Sequence, residues 1–120
     1  MNRYLSRAFA LLLVFLAGQA AAQTYPNRVV RVVVPFGTGA TSDLVARLIS
    51  DRLTTSMGQP FIVENRTGAG GTIGTEYVAK SAPDGYTLVL STAATPISAS
   101  VYHNLKYDTA AFASVIVLTH

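Results

Sequence analysis

The sequence has no cysteine and no tryptophan, and only 12% of its 120 residues are charged. Without cysteine there can be no disulfide framework and no thiolate metal site, so the fold must depend on its apolar core. The two histidines, His103 and His120, lack a partner at metal-ligand spacing and are interpreted as surface residues. No metal site is therefore expected, and we also expect no cofactor.

The first residues have the layout of a secretory signal peptide. Arg3 and Arg7 precede a ten-residue apolar run, 8–17, which is about half the ~20 residues that span a bilayer. Small residues, Ala20 and Ala22, stand where a signal peptidase cuts. We predict a signal peptide over 1–22, cleavage after Ala22, export, and no stable membrane insertion afterwards.

The charge of the exported part is low. Removal of the two signal-peptide arginines leaves seven Lys/Arg against six Asp/Glu, so the net charge falls from +3 to +1. No basic run is interleaved with aromatic residues. Nucleic acid is therefore not an expected partner.

Strand-like and helix-like segments alternate through 23–120. Runs rich in β-branched residues predict strands over 29–36, 60–65, 86–92 and 112–118. Thr41 or Ser42 is expected to cap a helix that ends at Gly58, a second helix follows the 66–74 loop, and a short one lies within 91–105. The pattern predicts an α/β fold, with a mostly parallel sheet and helices on both faces.

Periodicity assigns the faces of the two longer helices. In the first, apolar residues recur at helical spacing and are expected to face the sheet. In the second, three residues share one side. The first set is Leu44, Val45, Leu48, Ile49, Leu53 and Met57, and the second is Ile73, Tyr77 and Val78.

The first glycine loop, GTGATS over 37–42, has partial similarity to a dinucleotide-binding fingerprint. It lies between a strand and a helix, and Glu64 follows Ser42 by 22 residues, near the position of a ribose-binding acid. Ser42 occupies the third fingerprint position instead of glycine or alanine, and an exported protein has no free supply of a nicotinamide cofactor. A P-loop is excluded because no G-K-[ST] follows either glycine loop.

The second glycine loop, RTGAGGTIG over 66–74, is expected to lie beside the first. In a parallel sheet, the loops after strands one, two and three leave from one edge, where open α/β sheets bind ligands. Two glycine-bearing helix entries at that edge predict two neighbouring anion sites, which one molecule with two carboxylates would satisfy. The alternative is that the glycines serve only tight turns and close packing.

No catalytic constellation is present. The sequence has no G-x-S-x-G nucleophile elbow and no nucleophilic cysteine. Glu64 and Arg66 are interpreted as an ion pair at a strand end, Asp43 as a first-turn helix charge, and Tyr77 as a core or boundary residue. We therefore do not expect an enzyme.

The chain resembles the periplasmic solute-binding receptors of the tripartite tricarboxylate transporter family, also called Bug-type receptors. The similarity rests on YPNRVVRVVVPF with a glycine loop and TSDLVAR, on MGQPFIVENRTGAGGTIGTEYVAKSAPDGYTLVL, and on VYHNLKYD. The most specific motifs are VENRTGAGGTIG and APDGYTL.

The resemblance implies a periplasmic, two-lobed protein that captures a small carboxylate, often a dicarboxylate, and delivers it to membrane permease subunits. It further implies that 23–120 forms an incomplete first lobe, cut short before the second. By the resemblance, loop backbone and water at the strand ends bind the ligand. The implied positions are Pro35, Phe36, Gly37, Thr38, Gly39, Thr41, Ala69, Gly70, Thr92 and Ala93.

Two alternatives stay open on the sequence. One is an exported α/β enzyme or nucleotide-binding domain that uses the glycine loops for a phosphorylated ligand. The other is a non-functional fragment.

Overall fold

The structure is a computed structural model that describes residues 24–118. The predicted signal peptide, its cleavage site and His120 lie outside the described residues. In chain order, the elements are β1 (Val30–Val34), α1 (Thr41–Met57), β2 (Phe61–Asn65), a 3₁₀ turn (Ala69–Gly71), α2 (Thr72–Ala79), β3 (Thr87–Val89), α3 (Ala94–Val101) and a second 3₁₀ turn (Thr109–Ala111).

The three strands form a parallel sheet in the order β2-β1-β3. Val34 is paired with Asn65 and Val33 with Val89, so the carboxyl ends of all three strands meet at one edge. The chain steps from the central strand to one side and then crosses to the other. Right-handed crossovers therefore place α1 and α2 on opposite faces of the sheet.

The core is centred on β1. Val33 and Val34 are both fully buried, although neighbouring strand residues point to opposite faces. Each face is therefore covered, α1 packing on β1 and β2 while α2 packs on β1 and β3. Together with the crossover geometry, this confirms the predicted α/β class. The remaining buried apolar side chains are those of Val30, Ala46, Phe61 and Val78.

The ends of α1 differ in how well the sequence predicted them. Gly58 ends the helix as expected, in a left-handed conformation (φ 70°) from which its amide donates to the Thr54 carbonyl at 3.1 Å. The predicted cap is wrong, because Ala40 is the N-cap and no side chain caps the helix. Instead, the Asp43 side chain reaches back from the first turn to the preceding loop.

The predicted apolar face of α1 is only partly correct. Val45, Ile49 and Leu53 are half-buried, but Leu44, Leu48 and Met57 are exposed, Leu44 and Leu48 by 60% and 64%. The fully buried positions are Asp43, Ala46 and Ser50. Small and polar side chains on this side let the helix lie close to the sheet, and that contact turns the two leucines outward.

The α2 face needs a similar correction. Val78 is buried and Tyr77 is half-buried, as expected, but Ile73 is 54% exposed. Gly71, Gly74 and Thr75 occupy the buried side instead. Glycines permit a closer approach than isoleucine, so they determine which side of this helix meets the sheet.

The predicted fourth strand over 112–118 is wrong. This segment has no regular structure, and its Val115, Ile116 and Val117 are at least two-thirds exposed. β-Branched residues form a strand only where a neighbouring strand supplies hydrogen-bond partners, and none of the described strands pairs with this segment. The third strand is also shorter than predicted, although Tyr86 and Leu90 still exchange backbone hydrogen bonds with β1.

Candidate functional site

Three loops leave the carboxyl edge of the sheet side by side, as the sequence predicted. The first runs from Pro35 to Ala40, the second from Arg66 to Gly71, and the third from Leu90 to Ala93. The amide of Arg66 donates to the Val34 carbonyl and that of Leu90 to the Val33 carbonyl, both at 2.9 Å. The roots of the second and third loops are thus fixed to β1 at the point where the first loop begins.

The first loop exposes backbone donors. Gly37 and Thr38 are exposed, and their amides donate no hydrogen bond to any residue within 24–118. Ala40 donates to the Gly37 carbonyl at 3.2 Å, which closes a tight turn, and Gly39 has a φ of 86° that favours glycine. Pro35 is buried and has no amide hydrogen, so its role in the loop is support.

The Asp43 carboxylate is hydrogen-bonded to the first loop. Its side chain, 2% exposed, accepts hydrogen bonds from the Gly39 amide (2.9 Å), Arg47 Nε (3.0 Å) and Asn65 Nδ2 (2.9 Å). The Arg47 guanidinium, the Gly39 amide and the Asn65 amide together lower the pKa of Asp43 to about 2. The Gly39 amide is thus committed to the protein, whereas the Gly37 and Thr38 amides have no acceptor within 24–118.

Asn65, the last residue of β2, connects the same loop to the sheet. Its Nδ2 donates to the Phe36 carbonyl at 3.0 Å as well as to Asp43, and its Oδ1 accepts from Thr38 Oγ1 at 3.3 Å and from Arg47 Nη2 at 3.2 Å. Both donors and both lone pairs of the amide are therefore used. The side chain has one orientation that satisfies all four contacts.

The second loop is built on left-handed backbone. Gly68, Gly70 and Gly71 have positive φ values, and Ala69 is the non-glycine residue with positive φ (47°) in the described chain. Gly71 donates to the Gly68 carbonyl at 3.0 Å, and Thr72 Oγ1 donates to the Ala69 carbonyl at 2.9 Å. Ala69 and Gly70 are exposed, and their amides have no acceptor within 24–118.

The first two loops touch through glycine. A Cβ added to Gly71 would lie 3.2 Å from Pro35 Cβ and 3.5 Å from the Phe36 ring, and one added to Gly74 would lie 3.1 Å from Pro35 Cα. Backbone therefore packs directly against backbone at this junction. The first and second loops are therefore in direct contact at the carboxyl edge of the sheet.

The third loop leads into α3, and two hydroxyl groups of α3 and its C-terminal end lie near the second loop. Thr92 Oγ1 accepts from the Ala94 amide at 3.3 Å, so Thr92 supports the start of α3, and Ala93 is exposed beside it. One and two turns further along, Ser98 Oγ and Tyr102 Oη point at the second loop. They lie 3.8 Å and 3.7 Å from the position of a Cβ on Gly70.

The charged groups near this edge are paired with one another. Arg66 contacts Glu64 at 3.2 Å and stacks on the Tyr77 ring at 3.6 Å, in agreement with the predicted ion pair and boundary residue. His103 is exposed, and the part of the chain that the structure describes holds no cluster of metal ligands. The groups left to bind a ligand are backbone amides and hydroxyls, which suit an anion.

Sequence reasoning missed the supporting side chains. From the sequence, Asp43 is interpreted as a first-turn helix charge, and no role is predicted for Arg47, Asn65, Ser98 or Tyr102. The i, i+4 spacing of Asp43 and Arg47 was a usable signal for an ion pair. No local signal indicates that Asn65 reaches the first loop, since that contact depends on the register of β1 and β2.

A shallow pocket of about 370 Å³ lies at the opposite, amino end of the sheet. Arg28 and Arg31 line it, but both guanidinium groups are already paired, Arg28 with Asp84 at 2.7 Å and Arg31 with Glu64 at 2.9 Å. Paired charges have little capacity left for an anion. The carboxyl edge is therefore the better candidate site.

Comparison with known proteins identifies the family of the chain. Residues 45–120 match the family described as "Tripartite tricarboxylate transporter family receptor". The chain belongs to this family. The match includes Ala69, Gly70, Thr92 and Ala93 of the candidate site and begins just after the first loop.

Individual relatives agree with the family match. Protein BugT of Bordetella pertussis is 48% identical over 83 residues, which cover 69% of this chain and 26% of BugT. The R. palustris protein Rpa4515, solved with adipate, is 42% identical with a TM-score of 0.64, over 72% of this chain and 29% of that one. MatC from Rhodopseudomonas palustris, solved with bound malate, is 51% identical with a TM-score of 0.52, over 54% and 22%.

These alignments fix how much of a relative the chain represents. The chain spans about a quarter of BugT and under a third of Rpa4515. Family members are receptors for solutes and not enzymes. None of the helices in the described part of the chain combines the length and hydrophobicity needed to cross a bilayer.

Proposed function

We propose that the chain supplies the ligand-binding edge of a periplasmic receptor that captures a small dicarboxylate and delivers it to the membrane subunits of a tripartite transporter. The observation that carries this proposal is the contact between two glycine loops whose exposed residues include Gly37, Thr38, Ala69 and Gly70, the amides of which have no acceptor within 24–118. The signal-peptide pattern of the first 22 residues supports a periplasmic location.

Backbone amides suit a carboxylate because they donate hydrogen bonds and carry no counter-charge of their own. The two loops also lie at helix starts, where the helix dipole favours negative charge. A ligand with two carboxylates would use both loops at once. Adipate and malate, the ligands of the two solved relatives, are both dicarboxylates.

The binding energy explains why a second lobe is needed. Each hydrogen bond to a charged carboxylate contributes about 1.5 to 3 kcal/mol, and a helix start adds roughly 0.3 to 1 kcal/mol. A micromolar complex requires about 8 kcal/mol net, after association has cost roughly 4 to 15 kcal/mol. Four amides reach this total only where water is excluded, and a second lobe that closes over the ligand would exclude it. We therefore expect residues 23–120 alone to bind dicarboxylates at millimolar strength.

The test is a titration of two proteins with one panel of ligands. Residues 23–120 are measured alone and fused in place of the matching segment of BugT, against succinate, malate, adipate, butyrate and NAD. We expect the fusion to bind at least one dicarboxylate with a dissociation constant of about 10 μM or less, and to bind butyrate and NAD far more weakly. If NAD bound at micromolar strength and Glu64→Ala abolished that binding, the receptor proposal would be contradicted and the dinucleotide-binding hypothesis would be favoured.

A further inference from the structure

The first loop is held by a network of side chains from α1 and β2. Asp43, Arg47 and Asn65 form its centre, and we name these three residues the loop anchor. Asp43 accepts three hydrogen bonds of 2.9 to 3.0 Å while exposing only 2% of its side chain. A carboxylate this buried is stable only when it is paired and fully hydrogen-bonded, and the anchor supplies both.

The anchor forms hydrogen bonds with three residues of the first loop. Asn65 holds the Phe36 carbonyl and the Thr38 hydroxyl, and Asp43 holds the Gly39 amide. These three groups of the loop are hydrogen-bonded to the anchor, whereas the Gly37 and Thr38 amides have no acceptor within 24–118. The conformation that satisfies the anchor is thus the one that leaves these amides for a ligand.

The anchor also balances charge. An unpaired Asp43 beneath an anion-binding loop would repel a carboxylate ligand. Arg47 offsets that charge and at the same time bridges two residues, with Nε on Asp43 at 3.0 Å and Nη2 on Asn65 at 3.2 Å. A lysine would keep the charge but would lose the fixed fork that makes both contacts.

We infer that Asp43, Arg47 and Asn65 are positioning residues that hold the first loop in its ligand-binding conformation without touching the ligand. The inference rests on the proposed function for the identity of the ligand. The ordering of the loop itself is independent of any ligand.

The experiment uses Arg47→Lys and Asn65→Ala in residues 23–120, with Arg52→Lys as the matched control on the exposed side of the same helix. Hydrogen exchange of the Gly39 amide measures the order of the loop. Exchange of the Leu90 amide, which donates to β1, measures the sheet. NMR titration of the Gly37 and Thr38 amides with succinate measures binding.

We expect Gly39 exchange to accelerate at least about tenfold in both variants, and succinate to bind at least about fivefold more weakly, because charge-assisted hydrogen bonds are lost. Leu90 exchange should stay at the wild-type rate, and Arg52→Lys should match wild type throughout. Wild-type exchange at Gly39 in Arg47→Lys would overturn the inference. Equal acceleration at Gly39 and Leu90 would also overturn it, since the residues would then support the whole sheet.

The two proposals fail differently. If wild-type amides ignore succinate but Gly39 exchange still accelerates in both variants, the choice of ligand is wrong and the loop anchor stands. If succinate binds wild type and both variants equally, the receptor function stands and the positioning role is wrong.

Discussion

Gly74 lies directly against the carbonyl oxygen of Arg66. A Cβ on Gly74 would be 2.6 Å from that oxygen and 3.1 Å from Pro35 Cα, and both neighbours are backbone. The start of α2 therefore lies close to the roots of the first and second loops, and no side chain larger than hydrogen fits between them.

Gly74→Ala should destabilise the protein by roughly 1 to 3 kcal/mol, because backbone must shift to admit the methyl group. In an open helix the same change would stabilise by about 0.5 to 1 kcal/mol, so the sign of the effect tests the contact. The measurement is urea denaturation of residues 23–120. Gly37→Ala is the control, since nothing lies within 4 Å of its Cβ position, and a stabilised Gly74→Ala would contradict the packing described.

Asp43 should give the stability a specific dependence on pH. Its pKa is lowered from 3.8 to about 2 in the folded protein, so the folded chain keeps the carboxylate charged where the unfolded chain takes up a proton. This stabilisation is complete above about pH 4 and disappears as the pH falls through about 2.

Thermal unfolding between pH 5 and pH 2 checks this dependence. Asp43→Asn should be less stable than wild type at pH 5 and should lose less stability than wild type as the pH falls. Asp51→Asn, with an exposed side chain on the same helix, serves as the control. A wild-type pH profile in Asp43→Asn would show that Asp43 does not carry the effect.

Tyr102 is expected to contribute a side-chain contact to the ligand. Its hydroxyl lies 3.7 Å from the Cβ position of Gly70, on the exposed side of the second loop. Tyr102→Phe should weaken dicarboxylate binding about fivefold, as the loss of one hydrogen bond implies, and should leave stability unchanged within about 0.5 kcal/mol.

The Tyr102 prediction is checked by titration of the variant with succinate, and Tyr107→Phe is the control. The Tyr107 hydroxyl is buried without a hydrogen-bond partner in the described chain, so its removal should leave binding at the wild-type level. Equal weakening in both variants would mean that Tyr102 acts through the fold and not at the ligand.

Cleavage after Ala22 stays a prediction from the sequence. Intact-mass measurement of periplasmic protein should show a chain that starts at Gln23, because small residues and a short apolar run precede it. A membrane-bound product that retains Arg3 would contradict the export of the chain.

The sequence predicted the sheet well where the pattern was local. The run 29–36 contains β1 and Gly58 ends α1, since β-branched density and a left-handed glycine act within a few residues. The shared edge of the loops also followed, because parallel connectivity places all carboxyl ends together.

The sequence could not predict features that depend on neighbours distant in the chain. The 112–118 segment has the composition of a strand but no described strand beside it. Leu44 and Leu48 have the period of a buried face, yet small residues on the adjacent side meet the sheet. The role of Asn65 depends on a register that brings it to Phe36, 29 positions away.

The most direct test of the account is an NMR map of succinate binding to residues 23–120. The amides of Gly37, Thr38, Ala69 and Gly70 should shift together with a single dissociation constant in the millimolar range. Gly70→Val should abolish the shifts, because valine blocks approach to the backbone and disfavours the left-handed conformation (φ 64°) of this residue. If succinate instead shifts the amides around Arg28 and Arg31 at the amino end of the sheet, or shifts none in the two glycine loops, the proposed binding edge is contradicted.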